Sequence, residues 1–324
     1  MEPVSFKWLK IFLIVSLLNI TKQTDIACEI VQENQNGNEK ALNNYIRCKG
    51  IFHEPEALRS VVANITNPIE IFELYNSSLD LLPEDIFRDA KYSIVKKILF
   101  SETNLSLFSL PENNISPFYS IENTLESFEV YDSSFPFAWN FSVLARLNHL
   151  HSIIIENSDV FTIEDMFYSL TNIRFIQMIN CNIRLIHHKA FQKNINLSIF
   201  SLSNNLIRTV ERSMFPQPAI FLWSLDLSYN KIDYLPKDMF EDMPYLKELK
   251  LDYNRLVTIK GGVYKIVWNQ LTQLWLDGND MVCWALCPVL SENKREKKDR
   301  PLFFDSSICE KPPKKMVLLE SFEC

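Results

Sequence analysis

One spacing of apolar residues recurs through most of this 324-residue chain and limits what it can fold into. The segment LWSLDLSYNKIDYL has the order L-x-x-L-x-L-x-x-N-x-I-x-x-L, and the next segment, LKELKLDYNRLVTI, repeats it with Leu and Ile exchanged. Nine such units follow one another with a period of about 24 residues, which predicts a stack of repeats. The ninth position is occupied in turn by Ser77, Thr103, Ser133, Ser158, Cys181, Asn205, Asn230, Asn254 and Asn279.

The spacing has a simple physical reading. Each x-L-x-L-x segment is expected to be a short strand whose leucines point inward, so that stacked units form one parallel sheet on the concave side of a curved solenoid. After the strand the chain turns in a dry interior, where an unpaired backbone amide costs roughly 1–3 kcal/mol. We expect the ninth side chain to satisfy these groups, with Asn making more hydrogen bonds than Ser, Thr or Cys.

The template and period resemble those of the leucine-rich repeat family, in particular its extracellular members with cysteine-rich caps. The resemblance implies an α/β solenoid with a parallel β-sheet on the concave face, an irregular or short helical convex side and disulfide-capped ends. It divides the chain into an amino-terminal cap at 25–66, nine repeats at 67–281 and a cysteine-rich flanking domain at 282–324. The stretches CKGI and IFELYNSSLDLLPEDIF also resemble secreted arthropod members, among them the non-catalytic subunit of a luciferin monooxygenase.

Six of the seven cysteines fall in the predicted caps. Cys28 and Cys48 precede the first repeat, and we expect them to be paired. Four more follow the last repeat, at Cys283, Cys287, Cys309 and Cys324. Three connectivities are open for these four from the sequence alone. The family resemblance implies pairing of Cys283 with Cys309 and of Cys287 with Cys324, although the C-x-x-x-C spacing differs from the C-x-C that is usual in the family.

The seventh cysteine, Cys181, lies about a hundred residues from any other. Because it occupies a ninth position, we expect a buried, inert thiol with a structural role. The alternatives are a reactive thiol and an intermolecular bridge.

The amino terminus has the layout of a signal peptide. Lys7 and Lys10 precede an apolar run that is too short to span a bilayer, and a polar segment follows, so we assign residues 1–24 to the signal. No later segment has the roughly twenty consecutive apolar residues of a membrane helix. We therefore expect a secreted, extracellular glycoprotein. Its candidate glycosylation sites are Asn64, Asn76, Asn104, Asn114, Asn140 and Asn196.

Composition and motifs argue against several functional classes. A net charge of −7 disfavours nucleic acid as a partner, and only five glycines leave little room for phosphate-binding loops. The sequence shows no nucleophile elbow and no zinc-type spacing of cysteine and histidine. His187 and His188 fall on an outer connecting segment, where we expect an exposed turn. We predict that the protein is not an enzyme and has no cofactor or metal.

The concave face is the strongest candidate site, because the residues that alternate with the leucines line up across strands as one surface. By template position it carries Glu73, Tyr75, Glu129, Tyr131, Asp132 and Glu156, then Ile154, Phe175, Ile179 and Ile199, then Asp226, Tyr229, Lys250, Asp252, Tyr253, Trp275 and Asp277. Aromatic side chains among carboxylates favour a protein partner with basic and apolar features. The candidate contacts are Tyr131, Phe175, Asp226, Tyr229, Asp252, Tyr253 and Trp275.

Two alternatives to recognition or adhesion through the concave face remain. The arthropod resemblance implies an accessory subunit that stabilises a secreted enzyme. A basic patch in the carboxy-terminal cap suggests binding to a sulfated glycan or matrix, although interspersed acidic residues also fit a solvated loop. Its residues are Lys294, Arg295, Lys297, Lys298, Arg300, Lys311, Lys314 and Lys315.

Overall fold

The structure is a computed structural model that describes residues 26–35, 38–90, 94–109, 115–136, 139, 141–257, 263, 267–282, 301–302, 308–311 and 315–318. The predicted signal peptide, the sequons Asn114 and Asn140, and Cys283, Cys287 and Cys324 lie outside these residues. So does most of the basic patch. Cys309 lies in a strand, but the pairing predicted for it falls outside the described part of the chain.

The described chain is built mainly from strands. The strands are β1 (Ala27–Gln35), β2 (Asn38–Phe52), β3 (Ile71–Leu81), β4 (Lys97–Ser101), β5 (Asn104–Leu107), β6 (Ser127–Tyr131), β7 (Ser152–Glu156), β8 (Thr162–Ile163), β9 (Phe175–Ile179), β10 (Leu185–Ile186), β11 (Ile199–Ser201), β12 (Ser224–Asp226), β13 (Glu248–Lys250), β14 (Gln273–Trp275), β15 (Ile308–Lys311) and β16 (Lys315–Leu318). One α-helix, α1 (Pro55–Ala63), follows β2, and four short 3₁₀ turns lie at Tyr119–Ile121, Phe141–Leu144, Asp165–Ser169 and Arg212–Met214.

One large sheet runs through the molecule in the order β1-β2-β3-β4-β6-β7-β9-β11-β12-β13-β14, with β5 added beside β3. The first pair is antiparallel, and every later pair along this order is parallel. Each predicted repeat contributes one strand of the series from β3 to β14, and Leu225, Leu249 and Leu274 stand opposite one another in adjacent strands. The predicted parallel-sheet solenoid is therefore confirmed.

The core lies on one side of this sheet. The inward leucines Leu225, Leu249 and Leu274 are at most 1% exposed, as the alternation of a half-buried strand requires. Phenylalanines fill the space behind the amino-terminal strands, where Phe100 makes edge-to-face contacts with Phe108 and Phe135 at centroid distances of 6.2 and 5.4 Å. The convex side is formed by turns and 3₁₀ segments, which agrees with the predicted irregular convex side.

A disulfide closes the amino-terminal cap. Cys28 and Cys48 stand opposite each other in β1 and β2 and are joined by a disulfide bond. Strand β2 also pairs with β3, so the cap covers the edge of the first repeat.

Ninth-position side chains are buried under the strands. The Asn230 amide donates through Nδ2 to the carbonyls of Leu202, Leu227 and Ser228 at 2.9–3.1 Å, and its Oδ1 accepts from the backbone N–H of Ile207 at 3.1 Å. Asn205, Asn254 and Asn279 repeat this arrangement in their own units. Each Asn thereby joins its own turn to the preceding repeat.

The amino-terminal units use hydroxyl groups at the same place. Thr103 Oγ1 lies 3.0 Å from the carbonyl oxygens of both Leu74 and Ser101, and Ser133 Oγ accepts from the Thr103 N–H at 3.0 Å. One hydroxyl proton cannot serve two carbonyls as fully as an amide can. The hydrogen bonds of the ninth-position side chain are therefore weaker in these units than in the units with Asn.

Cys181 occupies the ninth position of its unit and is fully buried. Its Sγ lies 3.3 and 3.2 Å from the carbonyl oxygens of Ile155 and Ile179, and its N–H donates to Asn205 Oδ1 at 3.0 Å. Burial raises the pKa of the thiol to about 12, so almost none of it is thiolate at neutral pH.

We predict that the Cys181 thiol does not react with a bulky maleimide in the native protein at pH 7.5 and reacts once in denaturant without reductant. The reason is that both burial and the raised pKa suppress the thiolate. Mass spectrometry of labelled protein measures this. Rapid labelling before unfolding, or a covalent dimer that Cys181→Ser abolishes, would contradict the structural role.

Candidate functional site

The sheet face opposite the core, hereafter the concave face, carries the side chains at positions 3, 5 and 7 of each unit. Because the parallel strands are in register, these positions form three rows across the sheet. The rows divide into an amino-terminal polar part, an apolar middle and a carboxy-terminal part with aromatic and acidic residues.

In the amino-terminal part, Glu73 is bonded within the chain. Its Oε2 accepts hydrogen bonds from Tyr45 Oη and Arg47 Nε, both at 2.6 Å, and only 4% of its side chain is exposed. The Arg47 guanidinium also lies 4.9 Å from the centre of the Tyr75 ring. Burial, reinforced by Glu73, raises the pKa of Tyr45 above its ordinary value. The Glu73 carboxylate is therefore already paired with a cation of the chain itself, Arg47.

Glu129, two strands further along the sheet, is paired in a similar way. Its Oε1 accepts from Ser127 Oγ at 2.9 Å and contacts Lys97 Nζ at 2.7 Å, while its Oε2 accepts from Tyr131 Oη at 3.0 Å. Burial and the Glu129 carboxylate raise the pKa of Tyr131 above its ordinary value. Tyr131, a predicted contact residue, therefore has its hydroxyl engaged inside the protein.

The middle of the concave face carries four apolar side chains. Ile154, Phe175, Ile179 and Ile199 come from β7, β9 and β11 and are all partly exposed. Phe175 stands directly opposite Ile199 in the neighbouring strand. These four side chains are hereafter called the apolar middle. Gln177 and Glu156 lie among them on the same face, and the Gln177 amide donates a hydrogen bond to the Glu156 carboxylate.

In the carboxy-terminal part, Asp226 and Lys250 form an ion pair. Asp226 Oδ1 accepts from the N–H and Oγ of Ser228 at 3.0 and 2.6 Å, and its Oδ2 lies 3.4 Å from Lys250 Nζ. The same Lys250 ammonium lies 5.2 Å from the centre of the Trp275 ring. Two of the predicted contacts, Asp226 and Trp275, are thus linked by one lysine.

Asp252 differs from the other carboxylates of this face. Its Oδ1 is buried and has no hydrogen-bond partner among the described residues. Burial raises the pKa of Asp252 above its ordinary value, and the charges of Asp226 and Asp277 add to the shift.

The residue before each ninth position has a left-handed backbone. These residues are Asn76, Glu102, Asp132, Asn157, Asn180, Asn204, Tyr229, Tyr253 and Gly278, and each has a positive φ. Asn, Asp and Gly adopt this conformation readily, whereas a bulky side chain pays roughly 1–2 kcal/mol for it. Tyr229, with φ 54°, and Tyr253, with φ 51°, therefore stand at positions that disfavour tyrosine.

The two tyrosines form an exposed stack at the edge of the concave face. Their ring centres are 4.4 Å apart with an interplanar angle of 13°, and each residue is 50% exposed. The Tyr253 ring also covers Gly278, because a Cβ at that glycine would come within 2.5 Å of Tyr253 Cδ1. Gly278 was not among the residues predicted from the sequence, although a lone Gly before a ninth-position Asn indicates a close approach of another group to the backbone.

Other predicted sites lie apart from this face. The sequon residues Asn64, Asn76 and Asn104 are exposed, and Asn196 is half-buried. The His187 and His188 rings lie 4.2 Å apart on the outer connecting segment. Within the described residues no group of His, Cys, Asp and Glu could hold a metal ion, and no helix there has the length and hydrophobicity to cross a bilayer.

An aromatic patch before the strands was missed by the sequence analysis. Phe221, Trp223 and Tyr245 are 53%, 38% and 62% exposed at the start of neighbouring units. The available signal in the sequence was that large aromatic residues occupy positions to which the repeat template assigns no inward role.

We predict that Tyr253→Asn unfolds with a free energy within about 0.5 kcal/mol of wild type, whereas Tyr253→Ala loses roughly 1 kcal/mol more. Both variants lose the ring stack, but Asn tolerates the left-handed backbone and Ala does not. Urea unfolding followed by circular dichroism measures the difference. Equal stability of the two variants would show that backbone strain has no part at this position.

Comparisons with known proteins agree with the repeat and the fold. A leucine-rich repeat family model matches residues 222–281. Tsukushi-A of Xenopus laevis is 31% identical over 86 residues, which cover 26% of this chain and 24% of that protein. The matched segment thus spans about a quarter of this relative.

Solved structures share the architecture over a larger part of the chain. A chain of the TLR13–ssRNA13 complex superposes with a TM-score of 0.61 at 23% identity, covering 72% of this chain and 32% of that one. A chain of the octameric complex of Latrophilin 3, Unc5D and FLRT2 gives a TM-score of 0.56 at 18% identity, covering 83% and 84%. At these identities the likeness concerns the fold. With the sequence template and the family model that matches residues 222–281, these likenesses show that the chain has a leucine-rich repeat fold.

Proposed function

We propose that this protein is a secreted glycoprotein that recognises another protein through its concave face and has no catalysis of its own. The observation that carries the proposal is the apolar middle. Its four partly exposed side chains come from three adjacent strands of the sheet. An apolar centre with polar surroundings is the usual anatomy of a protein interface.

The net charge, the likeness to FLRT2 and the positions of two sequons also support a protein partner at the concave face. The net charge of −7 disfavours an RNA ligand of the kind named in the TLR13–ssRNA13 complex. The FLRT2 complex shows the same architecture in an assembly with two other proteins. Asn76 and Asn104 lie in β3 and β5, in the amino-terminal part of the sheet, so glycans there would leave the apolar middle and the carboxy-terminal part accessible.

The apolar middle acts with the neighbouring aromatic residues in this account. Phe175 supplies the largest apolar side chain of the middle, and Tyr229 and Tyr253 supply the exposed rings beside it along the sheet. Aromatic side chains of this kind contribute a large share of binding free energy at protein interfaces. A secreted enzyme that needs a stabilising subunit is one partner that this mode of binding would accommodate.

We predict that a double variant, Phe175→Ser with Ile199→Ser, weakens capture of the partner from extracellular fluid by roughly 10- to 100-fold. Phe175 and Ile199 lie side by side at paired positions of β9 and β11. Their loss therefore removes the centre of the proposed interface with the partner. Quantitative mass spectrometry of proteins captured by equal amounts of immobilised chain measures the effect.

Phe221→Ser is the matched control, because Phe221 is a more exposed aromatic residue outside the concave face. Both variants are first compared with wild type in thermal unfolding. Capture that the double variant leaves intact, or that Phe221→Ser reduces equally, would contradict binding through the apolar middle.

A further inference from the structure

The concave face twice holds a cation between an aromatic ring and a carboxylate. At the amino-terminal end, Arg47 donates to Glu73 and lies over the Tyr75 ring. At the carboxy-terminal end, Lys250 contacts Asp226 and lies over the Trp275 ring. In both places a ring and a carboxylate together stabilise one positive group.

A third ring-and-carboxylate pair has no such cation. Asp252 precedes Tyr253 in the chain, and its backbone carbonyl accepts a hydrogen bond from the Tyr229 N–H at 2.9 Å, which places Asp252 next to both stacked residues. Asp252 Oδ1 is buried without a hydrogen-bond partner, and no ion pair to this residue is found within the described part of the chain. Lys250, on the same strand ladder, is already bonded to Asp226.

The charge around Asp252 favours a positive ligand. Asp226 and Asp277 both act on the Asp252 carboxylate with negative charge, and Lys250 offsets only part of it. Lys231 and Arg255 lie just beyond the buried ninth positions, and neither forms an ion pair with Asp252. Two carboxylates against one ammonium leave this place negatively charged, which attracts a cation, and the Asp252 side chain as a whole is partly exposed.

The stacked rings of Tyr229 and Tyr253 provide an aromatic surface next to Asp252. Tyr229 and Tyr253 keep half of their surface exposed at left-handed positions where Asn stands in the preceding repeats. Gly278 provides the space that the Tyr253 ring needs. An exposed pair of stacked rings beside a carboxylate binds a planar guanidinium better than a compact ammonium group.

We propose that Asp252, Tyr229 and Tyr253 form a subsite for an arginine side chain of the partner protein. The guanidinium donates to Asp252 and packs against the stacked rings, as Arg47 does with Glu73 and Tyr75 inside the chain. Arginine is favoured over lysine because its planar fork bonds a carboxylate while stacking on a ring, and because it is less strongly hydrated. The inference rests on the proposed protein-binding function and specifies the chemistry of one end of the interface.

The test uses the full chain and a fluorescein-labelled peptide, Gly-Ser-Leu-Arg-Leu-Ser-Gly, with versions in which citrulline or lysine replaces arginine. Fluorescence anisotropy at low ionic strength gives the affinities. We expect the arginine peptide to bind about tenfold more tightly than the citrulline peptide and more tightly than the lysine peptide. Asp252→Asn and Tyr253→Asn should each reduce this preference to less than twofold.

Tyr245→Asn is the matched control, since Tyr245 is a more exposed tyrosine outside the concave face, and it should keep the full preference. Equal affinity for arginine and citrulline, no measurable binding of the arginine peptide, or an unchanged preference in Asp252→Asn would each overturn the subsite. If Tyr253→Asn does not fold, Tyr229→Asn and Asp252→Asn decide the question.

The double variant at Phe175 and Ile199 separates this proposal from the proposed function. It lacks the apolar middle but retains Asp252 and both tyrosines, so its arginine preference should equal that of wild type. Loss of partner capture in the double variant together with no arginine preference in wild type would retain the function and reject the subsite. The reverse pattern would retain the subsite and reject the apolar middle.

Discussion

The hydrogen bonds of the ninth-position side chains hold the repeats together. Each buried Asn donates to carbonyls of its own turn and of the preceding repeat, and accepts an N–H from that repeat. The turn can therefore be dry without leaving backbone groups unpaired. Because every unit is bonded to its predecessor at the same place, the strands stay in register, and the rows of the concave face are a consequence.

The left-handed row is a second consequence of this turn. The chain reverses direction just before the ninth position, and the residue there has a positive φ in all nine units. In most units Asn, Asp or Gly occupies this position at little cost. Tyr229 and Tyr253 are exceptions, and their rings form the exposed stack. Local strain and the candidate binding surface therefore occur at the same two residues.

The two halves of the solenoid obtain their stability differently. In the carboxy-terminal units the ninth position is Asn and the core is mainly leucine. In the amino-terminal units the ninth position is Ser or Thr, and the core contains a cluster of phenylalanines around Phe100 and Phe128. Asp85 also links two neighbouring amino-terminal units, because it accepts hydrogen bonds from the N–H and Oγ of Ser120 at 3.0 and 2.7 Å. Aromatic packing and hydrogen bonds between side chains of neighbouring units thus stabilise the part of the solenoid that lacks a ninth-position amide.

The repeat spacing was enough to predict the strands, the order of the sheet and the burial of the ninth positions, because these follow from a periodic pattern of apolar residues. It could not predict that Glu73 pairs with Arg47 and Tyr45, since that contact joins the cap to the first repeat. Nor could it show that Asp252 lacks a cation or that Gly278 accommodates the Tyr253 ring. These features depend on which side chains meet across adjacent units.

The central claim is that the buried amide at the ninth position stabilises the stack, and unfolding of an Asn230→Ala variant tests it most directly. The change removes the acceptor of the buried Ile207 N–H and one of the two amide donors to each of the Leu202 and Leu227 carbonyls. Urea unfolding should therefore show a loss of roughly 3 kcal/mol. Asn172→Ala, which removes one exposed hydrogen bond to the Asn148 carbonyl, should lose less than about 0.5 kcal/mol. Equal stability of the two variants would contradict the account.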